Sequence, residues 1–151
     1  MIIRPASNKD LEPLTDLFEG YRKYYRKDPD RKTALEFLSN RIQLMDSKIY
    51  VCENADTQLV GFVQLYPLFS STRLKKLWLL NDLFVHPNAR GLGISKLLIA
   101  RAKQLAKDTK AAGLMLETEI SNQIGNQLYP ATGFKLNEAS NFYDWDNLED
   151  H

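Results

Sequence analysis

Apolar residues change their spacing twice along this chain, and those changes limit the folds open to it. Leu11, Leu14, Leu17, Tyr21 and Tyr25 recur every three or four positions, the stripe of an amphipathic helix. Ser7 and Asp10 ahead of them have the spacing of a capping box. After the breaker Asp28-Pro29-Asp30, Leu35, Leu38, Ile42 and Met45 repeat the helical pattern. From Ile49 the period drops to two, predicting strands over 49–52, 59–68 and 77–85, with turn residues between the first pair. Beyond Gly91 the helical spacing returns in Ile94, Leu97, Leu98, Ala102 and Leu105. Residues 114–116 make too short an apolar run for a helix and read as a buried strand. Ser121 opens a fourth helix that Gly133 ends, and 134–136 and 142–145 read as two closing strands. With residues 1–5 as an opening strand, the order is β-α-α-β-β-β-α-β-α-β-β. This predicts an α/β (α+β) fold, a mixed sheet of about seven strands with four helices on its faces.

The 151 residues suit a single domain spanning 1–151. Twenty Lys and Arg against 19 Asp and Glu leave a net charge of +1, without the basic excess expected of a nucleic-acid binder. No apolar run approaches the roughly 20 residues that span a bilayer, so no membrane partner is expected. The start Met1-Ile2-Ile3-Arg4-Pro5 lacks the basic flank and apolar core of a signal peptide. The lone Cys52 has no partner for an internal disulfide, and a cytoplasmic location is expected. One Cys and two His argue against a structural zinc site, and no metal is expected.

The chemistry concentrates where the fourth strand meets the third helix. His86-Pro87-Asn88 turns the chain, and Arg90-Gly91-Leu92-Gly93-Ile94-Ser95-Lys96 enters the helix. Two glycines one residue apart let the backbone approach a ligand, and the first helical turn presents free N–H groups with positive partial charge. Together they suit a pyrophosphate, with Arg90 and Lys96 as added cations. A glycine-containing turn that binds nothing is the competing reading, and for Gly-x-Gly alone it is the stronger one. The Walker loop fails because Ile94 and Ser95 separate Gly93 from Lys96. The dinucleotide fingerprint fails because Lys96 stands where a third small residue belongs, and because the loop follows a fourth strand instead of a first.

These residues resemble the motif of the GNAT superfamily of acyl-CoA-dependent N-acyltransferases. In that family a strand ending in Val-x-Pro leads to Gln or Arg, two residues, Gly, one residue, then Gly or Ala. Val85-His86-Pro87 followed by Arg90, Gly93 and Ser95 fits the pattern except at Ser95. A second signature, Asn followed by Leu-Tyr and Gly-Phe, matches Asn122, Leu128-Tyr129 and Gly133-Phe134. The opening Ile3-Arg4-Pro5-Ala6 with Asp10-Leu11 is also similar, so the resemblance covers nearly the whole chain.

The resemblance implies a mostly antiparallel sheet and acetyl-CoA as cosubstrate. The pantetheine arm would pair with backbone at Leu83, Phe84 and Val85, and the pyrophosphate would rest on Arg90, Gly91, Leu92, Gly93, Ile94, Ser95 and Lys96. Asn122 would touch the coenzyme, and Tyr129 would be the general acid that protonates the departing thiolate. Without the resemblance, Tyr129 reads as a core aromatic of a helix. Gly125 and Pro130 both disfavour that helix, by roughly 1 kcal/mol of propensity for the glycine and by one lost hydrogen bond for the proline. An amine acceptor is protonated at neutral pH, so a base is expected: Asp82 near the end of the fourth strand, or Glu117 or Glu119 after the fifth. Solvated or fold-supporting acids are the other reading of all three. Tyr24, with Asp82, is the expected substrate contact, since aromatics and acids suit a cation. The run Leu80-Asn81-Asp82-Leu83-Phe84-Val85 is similar to the corresponding strand of polyamine and other small-amine acetyltransferases. The expectation is acetyl transfer to a small-molecule primary amine. A protein amine, and an acyl-CoA-binding module without catalysis, stand as alternatives. Many members of the family are dimers, which leaves a homodimer open.

Overall fold

The computed structural model describes residues 1–149, which divide into two compact units, Met1–Glu117 and a second that begins at Thr118. In the first unit, β1 (Ile2–Pro5) is followed by α1 (Leu11–Tyr24) and α2 (Arg31–Leu44). Then come β2 (Lys48–Glu53), β3 (Leu59–Ser70), β4 (Lys75–Val85), α3 (Ile94–Asp108) and β5 (Leu114–Met115). The second unit contains α4 (Gln123–Ala131). The strands lie in sequence order in one sheet. Pairings β1–β2, β2–β3 and β3–β4 are antiparallel, and β4–β5 is parallel.

The four predicted helices and the first five predicted strands are present in the predicted order. The sheet nevertheless has five strands, not about seven. Residues 134–136 and 142–145 adopt no strand conformation. Their composition suits a strand, but a strand exists only where a neighbour takes up its row of N–H and C=O groups. The edge strand β5 offers only two residues, and those pair with β4.

Most of the predicted apolar stripes are buried against the sheet. Met45, predicted to continue the second stripe, is instead the left-handed cap after α2 and 79% exposed, and Leu97 of the third is exposed as well. Leu14, Leu17 and Phe18 of α1 and Ala34 and Leu38 of α2 pack against Ile49, Val51, Phe62 and Phe84. On α3, Ile94, Leu98, Ile99, Ala102 and Leu105 are buried, and the Trp78 indole N–H donates to Thr109 Oγ1 at 2.9 Å, tying the end of α3 to β4. Helices on both faces place β4 between two apolar layers.

Arg4 joins the start of the chain to the sheet. Its guanidinium donates to both Asp10 carboxylate oxygens at 2.8 Å and to Glu53 Oε2 at 2.7 and 2.9 Å. Asp10 also accepts the Ser7 backbone N–H at 2.8 Å, completing the predicted capping box. The Arg4 hydrogen bonds hold the Asp10 carboxyl below its ordinary value of 3.8, against the opposing effect of burial. A depressed folded-state value means that this contribution is complete above the unfolded value and disappears as pH falls through the folded one. Thermal melts should therefore show a steep loss of stability below about pH 4. Asp10→Asn should flatten that acid limb while costing about 1–3 kcal/mol at neutral pH, because Arg4 loses a charged partner.

Candidate active site

The register between β3 and β4 slips by one residue. Gln64 pairs with Asp82 and Leu65 with Leu80, so Asn81 is the extra residue of a bulge. A bulge bends its strand and re-aims the flanking side chains. Here it exposes Asn81 and turns Asp82 inward, leaving Asp82 2% exposed. Both carboxylate oxygens are held: Gln64 Nε2 donates to Oδ2 at 2.6 Å, and Asn81 Nδ2 donates to Oδ1 at 2.8 Å. Ser47 Oγ orients the Gln64 amide by donating to Oε1 at 2.9 Å. The Tyr21 hydroxyl donates to the Asn81 carbonyl at 3.1 Å, tying α1 to the bulge. Burial raises the Asp82 carboxyl above its ordinary value, opposed by the bonds from Gln64, Asn81 and Tyr21. Tyr66 is also pushed up, by burial first and then by the Asp82 charge.

The other predicted acceptor-side residues are placed less centrally. Tyr24 is 42% exposed and meets Tyr25 edge-on at 5.1 Å; Tyr25 meets Tyr21 at 5.1 Å, and Tyr21 reaches Phe62 at 6.2 Å. This row of rings runs from the surface into the core. Glu117 is exposed, two residues beyond the end of β5, and Glu119 is exposed at the start of the second unit. Sequence reasoning missed Gln64, Asn81 and Ser47. The signal lay in Gln64 between Val63 and Leu65, a polar residue inside an apolar strand, facing another polar pair in the next strand.

Beyond the bulge, Leu83 is half-buried and Phe84 and Val85 are buried, paired to Val63, Phe62 and Gly61 on the β3 side. On the other side, β5 meets β4 only at Trp78 and Leu79. The edge of β4 from Leu80 to Val85 therefore has no neighbouring strand among the described residues. Such an edge offers backbone donors and acceptors to an extended ligand.

This edge runs directly into the glycine loop. The His86 N–H donates to the Val60 carbonyl at 2.8 Å, and the turn Pro87–Ala89 follows, with the Asn88 N–H on His86 Nδ1 at 3.1 Å. Arg90 Nε donates to the Val85 carbonyl at 3.2 Å, and its guanidinium lies 5.7 Å from the Phe84 ring centroid. Gly91 and Gly93 have φ of 81° and 77°, a region that side-chain-bearing residues rarely adopt. No atom lies within 4 Å of where their Cβ atoms would be, so the loop is open on that side. Gly93 caps α3 without a side-chain hydrogen bond, and the first helical bond runs from the Leu97 N–H to the Gly93 carbonyl at 3.2 Å. The N–H groups of Ile94, Ser95 and Lys96 thus need partners from outside the helix. Open glycines, three donors and the cations Arg90 and Lys96 fit a pyrophosphate, and the bare β4 edge fits an amide-bearing arm.

In the second unit, Asn122 caps α4, accepting the Gly125 N–H at 3.1 Å and donating to Thr118 Oγ1 at 2.8 Å. A Cβ on Gly125 would fall 2.6 Å from Asn122 Nδ2 and 3.3 Å from the Tyr129 ring. The glycine that looked costly in the sequence is what lets the cap close over the helix. Pro130 does not end α4: the helix runs to Ala131, and the Thr132 N–H reaches the Leu128 carbonyl at 3.0 Å. Gly133 takes φ 95°, as predicted for a helix end. Tyr129 lies edge-on to Phe134 at 5.8 Å, and its carbonyl accepts the Phe134 N–H at 3.0 Å. The second signature motif is thus one locally bonded piece of structure.

Residues 13–134 match the profile of the acetyltransferase (GNAT) family. The chain belongs to that family. It is 38% identical over 135 residues to Uncharacterized N-acetyltransferase YhfO of Bacillus subtilis, covering 89% of this chain and 90% of that protein. It is 32% identical over 139 residues to a probable acetyltransferase of Haemophilus influenzae, covering 92% and 93%. The crystal structure of a probable acetyltransferase superposes with a TM-score of 0.93 at 32% identity, over 99% of this chain and 100% of that one. As a GNAT enzyme the protein is an acyltransferase that uses acetyl-CoA and acts on an amine acceptor. No helix among the described residues is long and apolar enough to cross a membrane.

Proposed function

We propose that this GNAT enzyme is a single acyl-CoA N-acyltransferase domain that acetylates the primary amine of a small molecule by direct attack within a ternary complex. The observation that carries the proposal is the unpaired edge of β4 from Leu80 to Val85, leading into a loop whose two glycines have positive φ. Leu83, Phe84 and Val85 supply the backbone edge for the pantetheine arm. Arg90, Gly91, Leu92, Gly93, Ile94, Ser95 and Lys96 hold the pyrophosphate, and Asn122 completes the coenzyme contacts. Acetyl-CoA brings the activated acyl group as a thioester.

The acceptor must lose a proton before it attacks. An alkyl amine has a pKa of about 10.4, so on the order of one molecule in a thousand is neutral near pH 7.4. Asp82 takes that proton, directly or through water, and Glu117 is the second candidate. Burial favours Asp82, because a carboxylate whose pKa is raised is a better base near neutral pH. Tyr24 and Asp82 bind the cationic acceptor through an aromatic face and a charge. Tyr129 delivers a proton to the departing thiolate. The similarity of Leu80-Asn81-Asp82-Leu83-Phe84-Val85 to the strand of polyamine-type members supports a small polyamine-like acceptor. A cytoplasmic setting is supported by the lone, buried Cys52.

Thermal shift with acetyl-CoA, CoA and ATP tests the coenzyme site. Both CoA species should stabilise the chain by about 2.7 kcal/mol at a hundred times Kd, and stabilisation by ATP alone would reject the assignment. Release of CoA thiol across polyamines, amino acids, aminoglycosides and peptides then tests the acceptor. Turnover is expected with small amines, and turnover confined to peptides would show the small-molecule reading to be wrong.

A further inference from the structure

Gln64 is a fully enclosed polar side chain between Val63 and Leu65, which are enclosed as well. Burying an amide in an apolar layer is unfavourable unless both of its ends are bonded. Here both are. Nε2 donates to Asp82 Oδ2 at 2.6 Å, and Oε1 accepts from Ser47 Oγ at 2.9 Å. For the fold alone, bonded polar partners can be replaced together by apolar groups of the same shape at almost no cost. The glutamine therefore answers to the group it touches. Ser47 is delivered by the end of α2: Met45 turns the chain through a left-handed φ of 53°, Asp46 forms an ion pair with Arg41, and β2 then begins with Lys48 opposite Leu65.

With Oε1 taken by Ser47, the amide turns its N–H₂ end toward Asp82. Turned over, it would set its carbonyl against the carboxylate, two acceptors with no proton between them. The donors that act on Asp82 are all uncharged, the amides of Gln64 and Asn81 and the Tyr21 hydroxyl from α1. Tyr66 of β3 feels the Asp82 charge, and Arg41 and Asp46, from α2 and the turn after it, act on Tyr66 in opposite senses. The ionised form of Asp82 thus depends on neutral hydrogen bonds, and the shortest of them comes from Gln64. We propose that Gln64 is a positioning residue for proton transfer, held by Ser47 so that its N–H₂ group keeps the Asp82 carboxylate ionised and aimed at the acceptor. This role deepens the reading of Asp82 as the base and rests on it.

The test is kcat/KM for the amine as a function of pH, which reports groups of the free enzyme and the free amine. The titration of the amine itself is common to every variant. Gln64→Leu removes a hydrogen bond to a charged acceptor and should move the Asp82 limb upward by about 1–2 pH units. Ser47→Ala should move it the same way by roughly half as much, and Ser47→Thr, which keeps the hydroxyl, should restore it. A role in packing alone would lower the melting temperature and the rate at every pH while leaving the limb in place, and that result overturns the proposal. A limb moved equally by Ser47→Ala and Ser47→Thr overturns it too. Should Gln64→Leu not fold, the two variants of the half-buried Ser47 decide. Asp82→Asn distinguishes failure of the underlying reading. If the limb persists in that variant, Asp82 is not the base and both ideas fall. If it vanishes there while Gln64→Leu and Ser47→Ala leave it fixed, only the role of Gln64 falls.

Discussion

Tyr129→Phe is expected to lower kcat by about 10²-fold and to leave KM for acetyl-CoA nearly unchanged. A positioned general acid contributes about 10²–10⁴ in rate. The low end applies because a thiol with a pKa near 8.5 already leaves readily as thiolate. The substitution is clean: phenylalanine keeps the edge contact with Phe134 and the close approach to Gly125 and removes only the hydroxyl. Thiol release at saturating acetyl-CoA and amine measures the effect. An unchanged kcat would mean that the thiolate takes its proton from another donor.

Asp82→Asn should reduce kcat/KM for the amine by about 10²-fold or more and should change its pH dependence. In the unmodified enzyme the rate should rise with pH through the Asp82 value, which burial places above the ordinary 3.8. That limb should vanish in the variant. Stability carries the opposite sign. Asp82 binds its proton more tightly folded than unfolded, so its stabilising contribution is full below 3.8 and is lost as pH rises through the raised value. Melts of the variant should lack this decline. The asparagine must also set one N–H₂ against the amide donor of Gln64 or Asn81, a cost of about 1–3 kcal/mol. Lost stability with an unaltered pH–rate limb would make Asp82 a support of the bulge and transfer the role of base to Glu117.

Much of the fold was legible because apolar spacing is a local record of which face a residue buries. Leu11, Leu14 and Leu17, and Ile94, Leu98 and Ala102, could be assigned to helix faces without any partner being known. The glycine loop was legible for a similar reason, since a turn that needs positive φ needs glycine at that position. The bulge at Asn81 was not legible. It is a one-residue slip between β3 and β4, and no property of either strand alone specifies it. Gln64 and Ser47 were missed with it, because their role depends on what the slip brings opposite them. The closing strands failed for a related reason: 142–145 has a strand's composition, and composition does not supply a neighbour.

By itself, the amino-acid order determined the four helices and the first five strands, the capping box of Ser7 and Asp10, and the loop Arg90 to Lys96 with its family. These depend on dihedral preference, on side chains reaching the nearest few backbone groups, and on period. Only the tertiary structure decided that Asp82 is a buried acid and that β4 from Leu80 to Val85 has no neighbouring strand on its β5 side among the described residues. It also decided that Gly125 answers to Asn122 and that the last apolar residues face solvent. The first two follow from strand register and from a β4–β5 pairing of only two residues, which arise between segments distant in sequence; the Gly125–Asn122 approach is local but depends on the cap geometry in three dimensions.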